Sequence, residues 1–362
     1  MNITLIITGL GMGGAERQVC DLADQFAENG HKVLLISLTG KTVNQPQSES
    51  VEVVMLDMAK TLLGFIRAYW KIRRLIKGFK PDVVHSHMVH ANLFARLLCL
   101  STNIKKLICT AHSSNEGGRG RMLAYRLTDC MCDLNTNVSQ EAVDISVKRG
   151  AAKAKRIIAM HNGIDTERFT FNPASRASLR AQLKLVDQTP LILAVGRLTE
   201  AKDYPNLLTA FAQLPYTLDS SQLAIIGTGE EQATISALAV QLGLTSRVHF
   251  LGLQRNVHEW MSAADVFVLS SAWEGFGLVV AEAMACERVV VATDCGGVKE
   301  VVGDAGFLVE TKNSQLLAAV IEEAINLPVG RKKQLGTDAR QRVIDRYSLS
   351  VIANKWLEIY SN

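Results

Sequence analysis

The stretch Val266-Phe-Val-Leu-Ser-Ser-Ala-Trp-Glu274-Gly275-Phe276-Gly277-Leu278-Val-Val-Ala-Glu282-Ala-Met-Ala285 passes from a β-branched run, through a glycine-bearing turn, into a helical pattern. Strand, loop and helix in that order are the unit of a parallel sheet, because parallel neighbours need a long return connection. The strand reads as ending at Ser270 and the helix as beginning at Leu278, with Glu282 in its early turns. Backbone amides and a carboxylate are then exposed at the carboxyl end of a sheet, where ligands of open α/β folds sit. Glu274 lies in the loop and Glu282 eight positions on. Carboxylates accept paired hydrogen bonds from vicinal diols, so this pair suits one ligand with two diols, a sugar and a ribose.

The same unit repeats in both directions. Upstream, strands are predicted near Ile3–Thr8, Lys32–Leu38, Val51–Leu56, Asp82–His85, Lys106–Ala111, Leu134–Val138 and Arg156–His161, with helices between them. The pattern restarts with Leu191–Val195, Gln222–Ile226, Val248–Leu251, Val266–Leu269 and Val289–Ala292, and helices begin near Tyr204, Glu230, Val257 and Leu278. Two doubly wound domains in tandem follow, in keeping with the 362 residues and roughly 100–200 residues per domain. Their boundary is expected at Asn162-Gly163-Ile164-Asp165, giving residues 1–165 and 166–346. The chain from Gln315 to Tyr360 reads almost wholly helical, and its end, about 347–362, is placed to pack back across the first domain.

Composition excludes several classes. Seven prolines, 26 glycines and no low-complexity tract exclude a disordered or collagen-like chain. No apolar stretch reaches the ~18–20 residues that span a bilayer, and Met1 to Thr8 reads as a strand rather than a leader, so a cytosolic protein is expected. The seven scattered cysteines read as reduced thiols, since Cys130-Met-Cys132 lacks the second pair of a zinc site. Up to Asp165 there are 21 basic and 14 acidic side chains, and beyond it 18 and 21, so the first domain is suited to an anionic partner. From Lys60 to Lys80, seven cations and no acid alternate with Phe65, Ile66, Tyr69, Trp70, Ile72, Leu75, Ile76 and Phe79. A membrane-surface helix and an ordinary sheet-packing helix both fit that pattern. No nucleic-acid-binding signature accompanies the charge.

Other loops at strand ends carry further signals. Gly9-Leu-Gly11-Met-Gly13-Gly14-Ala15-Glu16 contains Gly-x-Gly-x-x-Gly and opens a helix, but the second strand ends in Ser37-Leu-Thr-Gly40, without the acid of a dinucleotide site. A loop approaching a diphosphate and a tight turn remain open. Arg197 and Lys202 follow a strand end, where two cations would neutralise a departing diphosphate. His85-Ser-His87-Met-Val-His90 has no carboxylate among its histidines, so no metal is expected there.

Taken together, these segments resemble family 4 of the retaining glycosyltransferases, with the GT-B fold of two Rossmann-like doubly wound domains facing a central cleft. The resemblance spans essentially the whole chain. It rests on Glu274 and Glu282, Gly13-Gly14-Ala15-Glu16, Asn162-Gly163-Ile164-Asp165, Gly196-Arg197-Leu198 with Lys202, and Gly296-Gly297-Val298-Lys299-Glu300. It implies that Glu274 binds and positions the donor sugar, Glu282 holds the ribose, and Arg197 and Lys202 hold the diphosphate. Gly13, Gly14, Gly275, Phe276, Gly277 and Leu278 would complete the donor site. His112 would hydrogen-bond the sugar near its reacting carbon, and Glu16, His87, His90 and Asn92 would line the acceptor side. Many relatives have glycine after the lysine, where this chain has Asp203.

No Asp-x-Asp occurs, so metal-independent transfer without a cofactor is expected. The resemblance implies retention, by same-face attack with the leaving phosphate taking the acceptor's proton. It further implies a hexose or N-acetylhexosamine from a UDP-sugar, and a polyprenyl-diphosphate-linked saccharide acceptor in O-antigen or surface polysaccharide synthesis. Peripheral contact with the anionic inner face of the plasma membrane would accompany that acceptor. Competing readings are a GDP-mannose-dependent mannosyltransferase, a UDP-sugar epimerase of the same architecture, and a nucleotide-sugar-binding module without activity.

Overall fold

Strands buried on both faces are continuous apolar runs, and those runs form two all-parallel sheets in a computed structural model that describes residues 1–40, 42–113 and 118–362, with only the backbone of Arg119. The chain divides into two units, Met1–Gly163 with Leu349–Asn362, and Ile164–Ser348. No helix among the described residues is long and apolar enough to cross a membrane.

The first unit holds β1 (Asn2–Ile7), β2 (Lys32–Ser37), β3 (Val51–Met55), β4 (Val83–His87), β5 (Leu107–Ala111), β6 (Leu134–Asn137) and β7 (Ile157–Ala159), in the order β3-β2-β1-β4-β5-β6-β7. On one face Leu5, Val83 and Ile108 pack with Phe26, Ile352 and Trp356, from the helices Gly14–Glu28 and Leu349–Ser361. On the other, Ile6, Val84 and Cys109 pack with Ile72, Ile76 and Phe94, from the helices Leu62–Phe79 and Val89–Leu98. Thr61 caps the Leu62–Phe79 helix by accepting from the Gly64 amide at 3.1 Å. That helix buries Ala68, Ile72 and Ile76 and leaves Leu62, Leu63, Ile66 and Trp70 exposed. All seven cysteines are free thiols.

The second unit holds β8 (Leu191–Val195), β9 (Gln222–Ile226), β10 (Val248–Gly252), β11 (Val266–Leu269), β12 (Val289–Thr293) and β13 (Phe307–Val309), in the order β10-β9-β8-β11-β12-β13. The three-residue edge strand β13 lies outside the expected set, being too short to show a pattern. The helical tail is three helices, Ser314–Asn326, Val329–Tyr347 and Leu349–Ser361. Pro328, whose ring excludes helix continuation, and Ser348, with ψ 147°, break it. Each sheet reverses its winding between two adjacent strands, β1 and β4 in one unit, β8 and β11 in the other. The loops leaving those strands lie side by side, which is the ligand position of doubly wound folds.

Candidate active site

In the second unit this switch point brings the loop after β8 against the loop after β11. The Ala272 amide donates to the Ala201 carbonyl at 2.9 Å, and Ser270 Oγ donates to the Lys202 carbonyl at 2.8 Å. Lys202 Nζ thereby reaches Glu274 Oε1 in a tight ion pair, and Ser271 Oγ donates to the same oxygen at 2.7 Å. The lysine stem crosses Gly196 so closely that a Cβ there would lie 3.0 Å from Lys202 Cε. From behind, Gly296 backs the turn with φ +56°, and a Cβ on it would stand 2.0 Å from the Glu274 carbonyl. The Gly297 amide donates to the Gly275 carbonyl at 3.1 Å, so the Gly296-Gly297 loop is the floor under Glu274.

Gly277, at φ 87°, starts the Leu278–Ala285 helix, and Phe276 is buried with its ring edge-on to Tyr347 at 5.5 Å. The Phe276 ring therefore pins the loop. Glu282 is buried in the same helix, while Arg197 is exposed. Asp203 takes a left-handed conformation, φ 45° and ψ 51°, and its carboxylate accepts from the Asn206 amide at 3.3 Å. The backbone shape that glycine adopts freely is thus kept by an aspartate, which tolerates it and caps the Tyr204–Ala212 helix. Tyr204 OH donates to the Gly196 carbonyl at 3.1 Å.

In the first unit the loop after β1 ends at Gly13, the N-cap of the Gly14–Glu28 helix. A Cβ at Gly13 would lie 2.2 Å from Glu16 Oε2, so the Glu16 carboxylate occupies this helix N-terminus as the chain's own anion. Gly13, expected at the donor, lies against that carboxylate, and Gly14, also expected there, is the first residue of the helix.

Register pairs His87 of β4 with Thr110 of β5 and places His112 just past the end of β5. His87 Nδ1 lies 3.1 Å from His112 Nε2. His85 is bonded to Tyr360 OH through Nδ1 and to Thr110 Oγ1 through Nε2, both at 2.6 Å. Burial holds His85 and His87 well below the ordinary histidine range and brings His112 to about 4, so all three rings are neutral at pH 7. Asn92 is also buried: it accepts from Ser86 Oγ at 2.8 Å and donates to the Thr110 carbonyl and Tyr125 OH. Of the residues expected to touch an acceptor, then, His87 and Asn92 are bonded inward within the unit. His90 is exposed, its pKa lowered by partial burial and by Arg121 and Lys60.

Ser271, Thr110 and Tyr360 were not legible as site residues. Tyr360 lies 275 positions from His85, and only the return of the last helix joins them.

Residues 12–168 match the family model described as Glycosyltransferase Family 4, and residues 175–342 the one described as Glycosyl transferases group 1. N-acetyl-alpha-D-glucosaminyl L-malate synthase of Bacillus anthracis is 31% identical over 367 residues, covering 96% of this chain and 94% of that one. The lipopolysaccharide core biosynthesis glycosyltransferase LpsE of Rhizobium meliloti is 26% identical over 353 residues, covering 97% and 96%. Among solved structures, Anabaena HepE in complex with UDP superposes with a TM-score of 0.86 at 23% identity, covering all of both chains.

Proposed function

The chain belongs to family 4 of the glycosyltransferases and is a glycosyltransferase with two Rossmann-like units of GT-B type, and from that premise we propose that it moves a hexose or N-acetylhexosamine from a UDP-sugar to a lipid-diphosphate-linked saccharide, with retention and without a metal. The observation that carries the reading is the Lys202, Glu274 and Ser271 cluster, set beside the start of the helix that buries Glu282. In this reading Glu274 takes the sugar hydroxyls and Glu282 the ribose. As the sugar–phosphate bond breaks, Lys202 and Arg197 meet the charge growing on the diphosphate, the term that dominates such barriers. The acceptor hydroxyl attacks the same face and its proton passes to the departing phosphate oxygen. His112, neutral, supplies a hydrogen bond to the sugar.

The UDP donor is supported by HepE, solved with UDP and with UDP-glucose, and the N-acetylhexosamine by the name of the Bacillus anthracis relative. A surface-polysaccharide role is supported by the name of LpsE, a lipopolysaccharide core biosynthesis glycosyltransferase. Peripheral membrane contact is supported by exposed Leu62, Leu63, Ile66 and Trp70 beside Lys60, Arg67, Lys71 and Arg74, apolar and cationic groups on one surface.

The test is nucleotide release from a panel of UDP-sugars and GDP-mannose, with and without a synthetic lipid-diphosphate-linked GlcNAc or GalNAc, in chelator, with Glu274→Ala as control. Acceptor-dependent UDP release that survives chelation and is lost in the variant is expected. Release from GDP-mannose alone overturns the donor, and isomerisation of a UDP-sugar without release overturns the transfer.

A further inference from the structure

The two oxygens of Glu274 are held unequally. Oε1 takes both Lys202 Nζ and Ser271 Oγ, the latter at 2.7 Å, whereas Oε2 accepts from no group among the described residues and is open to solvent. The direction of the serine bond follows from chemistry: a carboxylate paired with an ammonium group has no proton to give, so the Ser271 hydroxyl is the donor. The backbone of Glu274 is fixed separately, by Gly296 against its carbonyl and by the Gly297 amide on the Gly275 carbonyl. What remains to be set is which way the carboxylate faces, and the contacts on Oε1 set it.

Those two contacts differ in what happens to them during transfer. Lys202 is a cation on a flexible stem, and the charge growing on a departing diphosphate draws it away from a single carboxylate. Ser271 is neutral and 0% exposed, at the end of β11. Its carbonyl accepts from Thr293 Oγ1 at 2.7 Å and from Cys295 Sγ at 3.4 Å, and the next amide, that of Ala272, is bonded to the Ala201 carbonyl at 2.9 Å. Its backbone is thus tied to β12 on one side and to the loop after β8 on the other, and no charge on a ligand pulls it. We infer that Ser271 is a positioning residue of this enzyme: its hydroxyl keeps Glu274 Oε1 turned inward, so that Oε2 is the oxygen offered to the sugar hydroxyls and stays so while Lys202 turns to the diphosphate. This rests on the role given to Glu274 above and adds which of its oxygens acts and what holds the other.

The experiment is crystallography of the full chain, wild type and Ser271→Ala, each with and without UDP, joined to calorimetric titration of UDP and to kinetics with the UDP-sugar that the panel above turns over. In wild type Ser271 Oγ is expected within hydrogen-bond distance of Glu274 Oε1 in both states, and in Ser271→Ala the carboxylate is expected to rotate or to occupy more than one rotamer. Donor kcat/KM should fall about tenfold or more in Ser271→Ala while the Kd for UDP changes by less than about twofold, because UDP carries no sugar for Glu274 to hold. A serine that merely packed the loop would loosen Gly275 to Gly277 and the helix of Glu282 as well, and UDP would weaken with the donor. A Glu274 carboxylate unmoved in Ser271→Ala, or a loss of UDP affinity equal to the loss in kcat/KM, overturns the inference. A wild-type structure with Ser271 Oγ turned away from Glu274 overturns it too, and decides the matter even if Ser271→Ala fails to fold. Full activity in Glu274→Ala overturns instead the role of Glu274 in holding the sugar, while the crystallographic result on Ser271 stands.

Discussion

Replacing Asp203 by alanine and by glycine should reverse the order of stability usual for those two residues. At ordinary backbone angles alanine is the more stabilising, by about 0.4–1 kcal/mol, because glycine gains more freedom on unfolding. At φ 45° and ψ 51° a Cβ costs roughly 1–2 kcal/mol, less for aspartate, whose short polar chain bonds locally. Asp203 also accepts from the Asn206 amide at 3.3 Å, a cap whose loss to alanine costs about 1 kcal/mol and to glycine a few tenths. Asp203→Gly should therefore remain within about 1 kcal/mol of wild type, while Asp203→Ala loses about 1.5–2 kcal/mol. For a unit the size of Ile164–Ser348 that is a fall of roughly 3–8 °C in Tm. Differential scanning calorimetry of the three proteins side by side reads it. Because Lys202 precedes Asp203, donor KM should rise in the alanine variant and stay near wild type in the glycine one. An alanine variant as stable as the glycine one would refute the left-handed conformation and with it this account of how Lys202 is presented.

Gly296→Ala places a Cβ 2.0 Å from the Glu274 carbonyl, so the turn must shift, and turnover should drop by about 10²-fold with a lowered Tm, read by donor kinetics and thermal unfolding. The folded pKa of His112 lies near 4, below the unfolded value near 6.5, so the unfolded chain takes the proton first. Stability present above pH 6.5 is then lost as pH falls towards 4, by about 2 kcal/mol between pH 7.5 and 5 from this group alone, and urea unfolding at the two pH values should show a smaller difference in His112→Gln. Leu63→Ser with Trp70→Ser removes exposed apolar area from the Leu62–Phe79 helix, so binding to anionic vesicles in a sedimentation assay should weaken about tenfold or more while turnover on a water-soluble acceptor is unchanged.

The sequence by itself determined the architecture. Parallel strands are buried on both faces, so Leu191–Val195 and Val266–Leu269 are unbroken apolar runs whose ends are legible to the residue. Polar strands hide their ends: β4 runs two residues past His85, because Ser86 and His87 find their partners in other elements. The short edge strand Phe307–Val309 carries too few residues for any period. In the Leu62–Phe79 helix, the aromatic and basic pattern leaves open which apolar residues turn inward. Packing against Val84 and Phe94 buries Ile72 and Ile76 and leaves Trp70 outside.

Motif spacing singled out Glu274, Glu282, Arg197 and Lys202 one by one as candidates, since each sits at a strand end or helix start that local pattern reveals. That Lys202 pairs with Glu274, 72 positions away, follows from the adjacency of β8 and β11, a property of strand order that no local pattern encodes. The burial of His87 and its place between His85 and His112 depend in the same way on the register of β4 and β5 and on the last helix bringing Tyr360 back to the first sheet. Local pattern reports which faces are apolar. Which polar groups meet inside is decided by long-range contacts, because those contacts form only when the sheets assemble.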